Sequence, residues 1–208
     1  MSDILQIGTH SAISPTPSPT LLRLQSITIA WMLLELAVSA YAAFTAHSPA
    51  ILAFAADSLV ELLSATVVLL QFAPRFTLSE QKAARASAIL LLVLTLFITA
   101  ISIATLALHI HPAVSCSGIA ITLAALIAMP ILATLKHREA RRTQNPAVAA
   151  DAVQSAACAW LALTALAGLA ANALLHLPWL DPAAALAAVP ILLREARSAW
   201  RGHTCACC

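Results

Sequence analysis

Apolar residues in this chain run in long blocks and do not alternate with polar ones. About six blocks appear, each of roughly 20 residues, the length a helix needs to cross a hydrocarbon core of about 30 Å. They predict spans at 22–44, 50–73, 84–109, 113–135, 147–172 and 182–199. Strands of a membrane barrel would alternate over about 10 positions; these blocks do not, so helices are expected. The expected fold is an all-α polytopic membrane protein, a six-transmembrane-helix bundle occupying residues 22–200. Residues 1–21, with a Ser/Thr/Pro run from Ser11 to Thr20, read as a disordered tail. Residues 201–208 read as a Cys-rich cytoplasmic tail. Pro190 interrupts the sixth block, and Arg194 and Glu195 lie near its end.

Composition agrees with this class: 61% of residues are hydrophobic and 10% charged, where a soluble domain carries about a quarter charged. The N-terminus has neither the basic nor the apolar region of a secretory signal. The net charge of +2 is too small to suggest nucleic acid as a partner. The placement of the charge says more. Arg23, then Arg75, Lys82 and Arg85, then Lys136, Arg138, Arg141 and Arg142, then Arg194, Arg197 and Arg201 all fall on one side of six spans. Short cytoplasmic loops carry such an excess, so both termini are expected in the cytoplasm, with every basic residue at a cytoplasmic end. The alanine richness and the lack of an organelle signal point to a bacterial inner (plasma) membrane. His47, His109, His111 and His176 mark the opposite ends of the spans. They read as interfacial polar residues, or as a weak metal-release vestibule, since neutral imidazole suits zinc, copper and nickel.

The chemistry concentrates in two blocks. "AFAADSLVELLSA" places Asp57 and Glu61 four residues apart, on one helical face. An acid at mid-bilayer costs roughly 2.5–3.5 kcal/mol, and two alike cost more unless they are protonated, share a proton or hold a cation. With no Lys or Arg expected in mid-membrane, a proton or a metal ion is the expected partner. "NPAVAADAVQSAACAWLAL" places Asp151, Gln154 and Cys158 at spacings of three and four, again on one face. Carboxylates and a thiolate complete tetrahedral zinc sites, and the thiolate favours softer ions. Metal binding to such ligands releases protons, so a site loaded alternately by metal and protons is the minimum for proton-coupled antiport. Each of these residues also has a plainer role: Cys158 as a small buried hydrophobe, Gln154 as an interhelical hydrogen bonder, Asp151 as a partly wet end residue. Glu35 is a third intramembrane acid, either a proton relay or a structural partner.

"FAADSLVELLSA" resembles the second span of the cation diffusion facilitator family, where an acidic or His residue is followed four positions later by Asp. Asp57 and Glu61 stand at those positions. "ADAVQSAAC" is similar to the family's span-five pattern A-D-x-x-H-x-x-x-D, with Asp151 at the early Asp, Gln154 in place of the His and Cys158 in place of the later Asp. "WLDPAAALAAVPILLREA" resembles its sixth span, with Asp181 and Pro182 at the usual Asp-Pro. The resemblance covers about residues 22–200. It implies a six-helix divalent-metal/proton antiporter, a homodimer with both termini cytoplasmic, and Asp57, Glu61, Asp151, Gln154 and Cys158 around the transported ion. Where the family has a cytoplasmic domain, this chain reads "RGHTCACC".

The expected function is therefore export of a divalent transition metal such as zinc, driven by proton entry, with no prosthetic cofactor and no enzymatic activity. The alternative is a non-transporting membrane metal-binding or sensor protein in which His203, Cys205, Cys207 and Cys208 bind the metal. A disordered end or a palmitoylated one are other readings of that tail. A membrane thiol oxidoreductase needs paired cysteines facing the oxidising side, and here the paired ones are expected in the cytoplasm. No serine–histidine or His-Glu-x-x-His arrangement suggests a hydrolase.

Overall fold

A computed structural model describes residues 19–70, 80–144 and 146–201. Among them are six α-helices: α1 Pro19–Ala46, α2 Pro49–Leu70, α3 Glu80–Ala107, α4 Cys116–Thr143, α5 Pro146–Leu175 and α6 Leu180–Arg201. Five of these, α1 to α5, are long and apolar enough to cross a membrane. The chain is thus a multi-pass helical membrane protein. The sixth predicted span forms a helix that continues through Pro190, but Asp181, Arg194, Glu195, Arg197 and Arg201 keep it out of the strongly apolar class. Pro19, Thr20 and Leu21, read as part of the tail, already belong to α1. The Cys-rich tail, most of the N-terminal tail and part of the second connection lie outside the described residues.

Short connections alternate the helix directions. One end of the bundle gathers Arg23, Arg138, Arg141, Arg142, Arg194 and Arg197; the other gathers His47, His109, His111 and His176, all exposed. At this histidine end three of these residues terminate helices through their backbone. His47, His109 and His176 take the left-handed conformation, with φ of 53°, 51° and 52°. Ser48 N–H donates back to Ala43 O at 3.2 Å and Ile110 N–H to Thr105 O at 3.0 Å, six-to-one bonds that close α1 and α3.

The helices pack with α2 at the centre, against α1, α3, α5 and α6. Of its apolar stretch 61% is buried, against 28–39% for the other four spans. A core of Met32, Phe54, Leu91, Ile98, Met129 and Leu161 fills the interior, while Leu33, Phe44, Phe97, Ile127 and Leu174 point outward, as a lipid-facing surface requires. Cross-ties hold the histidine end. Asp181 accepts from Ser48 Oγ at 2.5 Å and from Ala50 N–H at 3.2 Å, which joins the starts of α2 and α6. Asn172 Nδ2 donates to Pro112 O at 2.9 Å.

The fourth helix departs furthest from its expected span, ending eight residues later. The connection "KHREARRTQN" is helical as far as Thr143, and Gln144 closes α4 with φ 51°. Strong helix formers and the Glu139–Arg142 pair, with Nη2 2.9 Å from Oε1, support the extension. Lys136 therefore sits within α4, not in a loop.

Gly168 is where α5 meets α6. A Cβ there would lie 2.6 Å from Ala184 Cβ and 3.3 Å from Leu180 O, which only a shift of the helix backbone relieves. Gly168→Val is expected to destabilise the bundle by about 1–3 kcal/mol. Thermal unfolding in detergent, followed by tryptophan fluorescence, checks this; an unchanged midpoint would contradict the close approach.

Candidate functional site

The acids singled out in the sequence are all buried, and they line a polar track through the bundle. At about 1.5 Å per residue from the basic end of each helix, Asp151 lies about 8 Å in, Glu61 about 14 Å, Asp57 about 20 Å and Glu35 about 24 Å. Three groups of contacts divide the track.

Nearest the basic end is an ion cluster. Lys136 has no exposed side-chain surface and lies 2.9 Å from Asp151 Oδ2 and 3.2 Å from Glu61 Oε1. It also donates to Ser155 Oγ at 2.7 Å, and Ser155 donates in turn to Glu61 Oε1. Gln25 Nε2 donates to Asp151 Oδ2 at 2.9 Å. Helices α1, α2, α4 and α5 all contribute. This corrects the expectation that no basic residue reaches the interior. Lys136 lies where the buried face of α4, Met129, Leu132, Ala133 and Ala140, continues toward the basic end. That face carries the ammonium inward with it.

Deeper, Glu35 is held by hydrogen-bond donors. Trp31 Nε1–H donates at 2.7 Å, Ser58 Oγ at 2.6 Å and the Cys158 thiol at 3.6 Å. Glu35 thus ties α1 to α2 and α5 through its hydrogen bonds.

Asp57 is treated differently. It is fully buried, and neither of its carboxyl oxygens accepts a hydrogen bond among the described residues. Glu195 on α6 and the Cys158 thiol on α5 lie near enough to act on its carboxyl electrostatically. Both oxygens of Glu195 are likewise buried without a donor. Two carboxylates cannot bond each other without a proton, and a proton or a cation between them removes the repulsion.

The sequence-derived set is brought together only in part. Asp57 and Cys158 share the central pocket. Glu61 lies one helical turn away, and Asp151 joins Glu61 through Lys136. Gln154 is half-buried and takes no part; the inward face of α5 runs Asp151, Ser155, Cys158, Ala162. Among the described residues no group of three or more His, Cys, Asp or Glu is arranged around a metal position. Sequence reasoning missed Gln25, Ser58, Lys136, Ser155 and Glu195. Two of these carried a signal: Lys136 and Ser155 each fall at helical spacing from a buried neighbour.

The charge count follows. The track holds five buried carboxyls, Glu35, Asp57, Glu61, Asp151 and Glu195, with Asp181 buried apart from them on hydrogen bonds at the histidine end, and Lys136 is the one ammonium among the described residues that pairs with any of them. Protons or mobile cations must supply the rest of the neutralising charge. No protein-family model matches the sequence, and no curated protein matches it.

Lys136→Met would leave Glu61 and Asp151 as uncompensated buried carboxyls. Losing one partner of a buried pair costs about 3–5 kcal/mol. Thermal unfolding is expected to show a loss of that order. Adding Glu61→Gln and Asp151→Asn to the same chain is expected to recover most of it. No recovery would mean that Lys136 stabilises by packing rather than by charge.

Proposed function

We propose that the chain is a proton-coupled secondary transporter that moves a divalent transition-metal cation across the membrane, as its resemblance to the cation diffusion facilitator family implies. The observation that carries this reading is the Asp57–Glu195 pair. All four of its carboxyl oxygens are buried without a donor among the described residues, and the two groups are near enough to repel, so the pair needs exchangeable positive charge. Protons fill that need in one state and the cargo in the other.

In this mechanism Asp57, Glu195 and Cys158 are the ligands. Two carboxylates and a sulfur make a donor set suited to zinc, cadmium or a similar ion. Loading draws the three groups closer by movement of α6 against α2 and α5, the rocking common to carriers with a midplane site. Protons leave the carboxyls as the cation enters. Glu61 and Asp151 lie on the basic-end side of Asp57, where they attract the cation, with Lys136 holding them when it is absent. Glu35 keeps α1 in register with the moving helices.

One observation favours a second reading, a metal-binding or sensing protein that does not transport. Lys136 already fills the gap between Glu61 and Asp151, and a permanent bridge there would close the path. Purified protein in liposomes with an imposed pH gradient separates the two. Wild type is expected to move zinc, cadmium, cobalt, manganese, nickel or ferrous ion against protons. Asp57→Asn and Glu195→Gln are each expected to lower the flux at least tenfold without loss of folded protein. Undiminished flux in either variant would remove that residue from the site. Binding without flux in wild type would establish the second reading.

A further inference from the structure

Outside the carboxyl track, α1 and α4 part at the basic end to form a groove of about 370 Å³. Its polar rim is Thr20, Arg23, Arg138 and Arg142; Ile27 and Leu135 continue it along the outside of the bundle. Ile27 is 60% exposed and Leu135 43%, so the wall below the arginines faces lipid. Glu139 also borders the groove, but two bonds to Arg142, of 3.1 and 2.9 Å, turn its carboxylate onto that guanidinium. Arg23 and Arg138 are exposed and have no carboxylate within ion-pair distance among the described residues. The groove thus joins unmatched positive charge at the headgroup level to an apolar wall running into the hydrocarbon.

We infer that this groove binds an anionic phospholipid, the phosphate between Arg23 and Arg138 and an acyl chain along Ile27 and Leu135. The charge chooses an anion, since guanidinium groups take phosphate oxygens in pairs. The adjoining apolar wall chooses a lipid over a free phosphate, which would leave Ile27 and Leu135 unused. Basic pockets between helices at the membrane surface recognise acidic headgroups in this way. Because the groove spans α1 and α4, whose Gln25 and Lys136 both bond Asp151, a lipid seated there braces the basic end of the carboxyl track.

The test uses the full chain purified in a neutral detergent. Phosphatidylglycerol, phosphatidylcholine and inorganic phosphate are titrated separately, with the thermal midpoint and lipid retention by native mass spectrometry as readouts. Saturable stabilisation by phosphatidylglycerol is expected, with neither of the other two matching it. Arg23→Gln with Arg138→Gln is expected to weaken that binding by about 25-fold, roughly fivefold per arginine. Arg194→Gln with Arg197→Gln, which removes the same charge elsewhere on the basic end, is expected to leave it within about twofold. Equal weakening by both pairs would reduce the effect to net charge and overturn the site. An equal response to inorganic phosphate would mean a free-anion site and overturn the lipid. Should the Arg23/Arg138 variant fail to fold, Leu135→Asn is the second variant, expected to weaken phosphatidylglycerol binding; unchanged binding there overturns the proposal as well.

Discussion

One ammonium against the five carboxyls of this track, in a low-dielectric interior, is the constraint on which the rest of this structure turns. A charge removed from water is costly, and nearby opposite charge restores the balance only where geometry is good. The bundle meets the cost in three ways. Glu35 receives three donors. Glu61 and Asp151 share Lys136 and are trimmed by Ser155 and Gln25. Asp57 and Glu195 have no donor on any carboxyl oxygen among the described residues. The first two arrangements resemble those that hold membrane helices together. The third stabilises nothing without an added proton or ion, which is why the functional reading rests there.

Architecture and chemistry are divided between the two ends of the bundle. At the histidine end, the bonds from Asp181 to the start of α2 and from Asn172 to Pro112 are direct, and α1 and α3 close on six-to-one backbone bonds. These contacts are fully paired and suit a fixed end. Toward the basic end the interior is polar, and one oxygen each on Glu61 and Asp151 lacks a donor. A helix pair tied at one end and electrostatically unsettled toward the other moves most easily about the tied end. Glu195 on α6 and Asp57 on α2 lie on the two helices that Asp181 joins, so motion about that joint changes the distance between the two carboxyls.

Much of the fold was legible because bilayer thickness fixes helix length and apolar blocks report it directly. Asp57 and Glu61 were legible for the same reason, as acids stand out against hydrocarbon. Lys136 was not. Hydropathy ends the fourth span near residue 135, because charged residues follow, yet the backbone continues helical for two more turns and its inward face continues with it. A charge count placed Lys136 with the loop arginines, whereas its helical phase set it with Met129 and Leu132. Gln154 shows the converse limit. Spacings of three and four both read as one face, but at about 100° per residue Gln154 sits about 60° from Asp151 and Ser155 about 40° on the other side. Only packing against α2 and α4 decides between them, and it chooses Ser155. Glu195 was hidden because its partner is on another helix, a relation that no spacing within α6 reports.

The same charge balance limits how the proposed transport can run. With a proton on each carboxyl, Asp57 and Glu195 are neutral, and a dication replacing those two protons leaves the pocket neutral again. Any other exchange at this pair strands charge in hydrocarbon. One proton per dication adds a positive charge; three require a thiolate at Cys158, which is fully buried and sits beside acids. Lys136 enforces the same limit from outside. It keeps Glu61 and Asp151 occupied, so their negative charge cannot be lent to the cargo unless the ammonium first leaves them. In this mechanism the lysine is a resident cation that confines the exchange to Asp57 and Glu195, and the coupling ratio follows from which carboxyls it leaves unpaired.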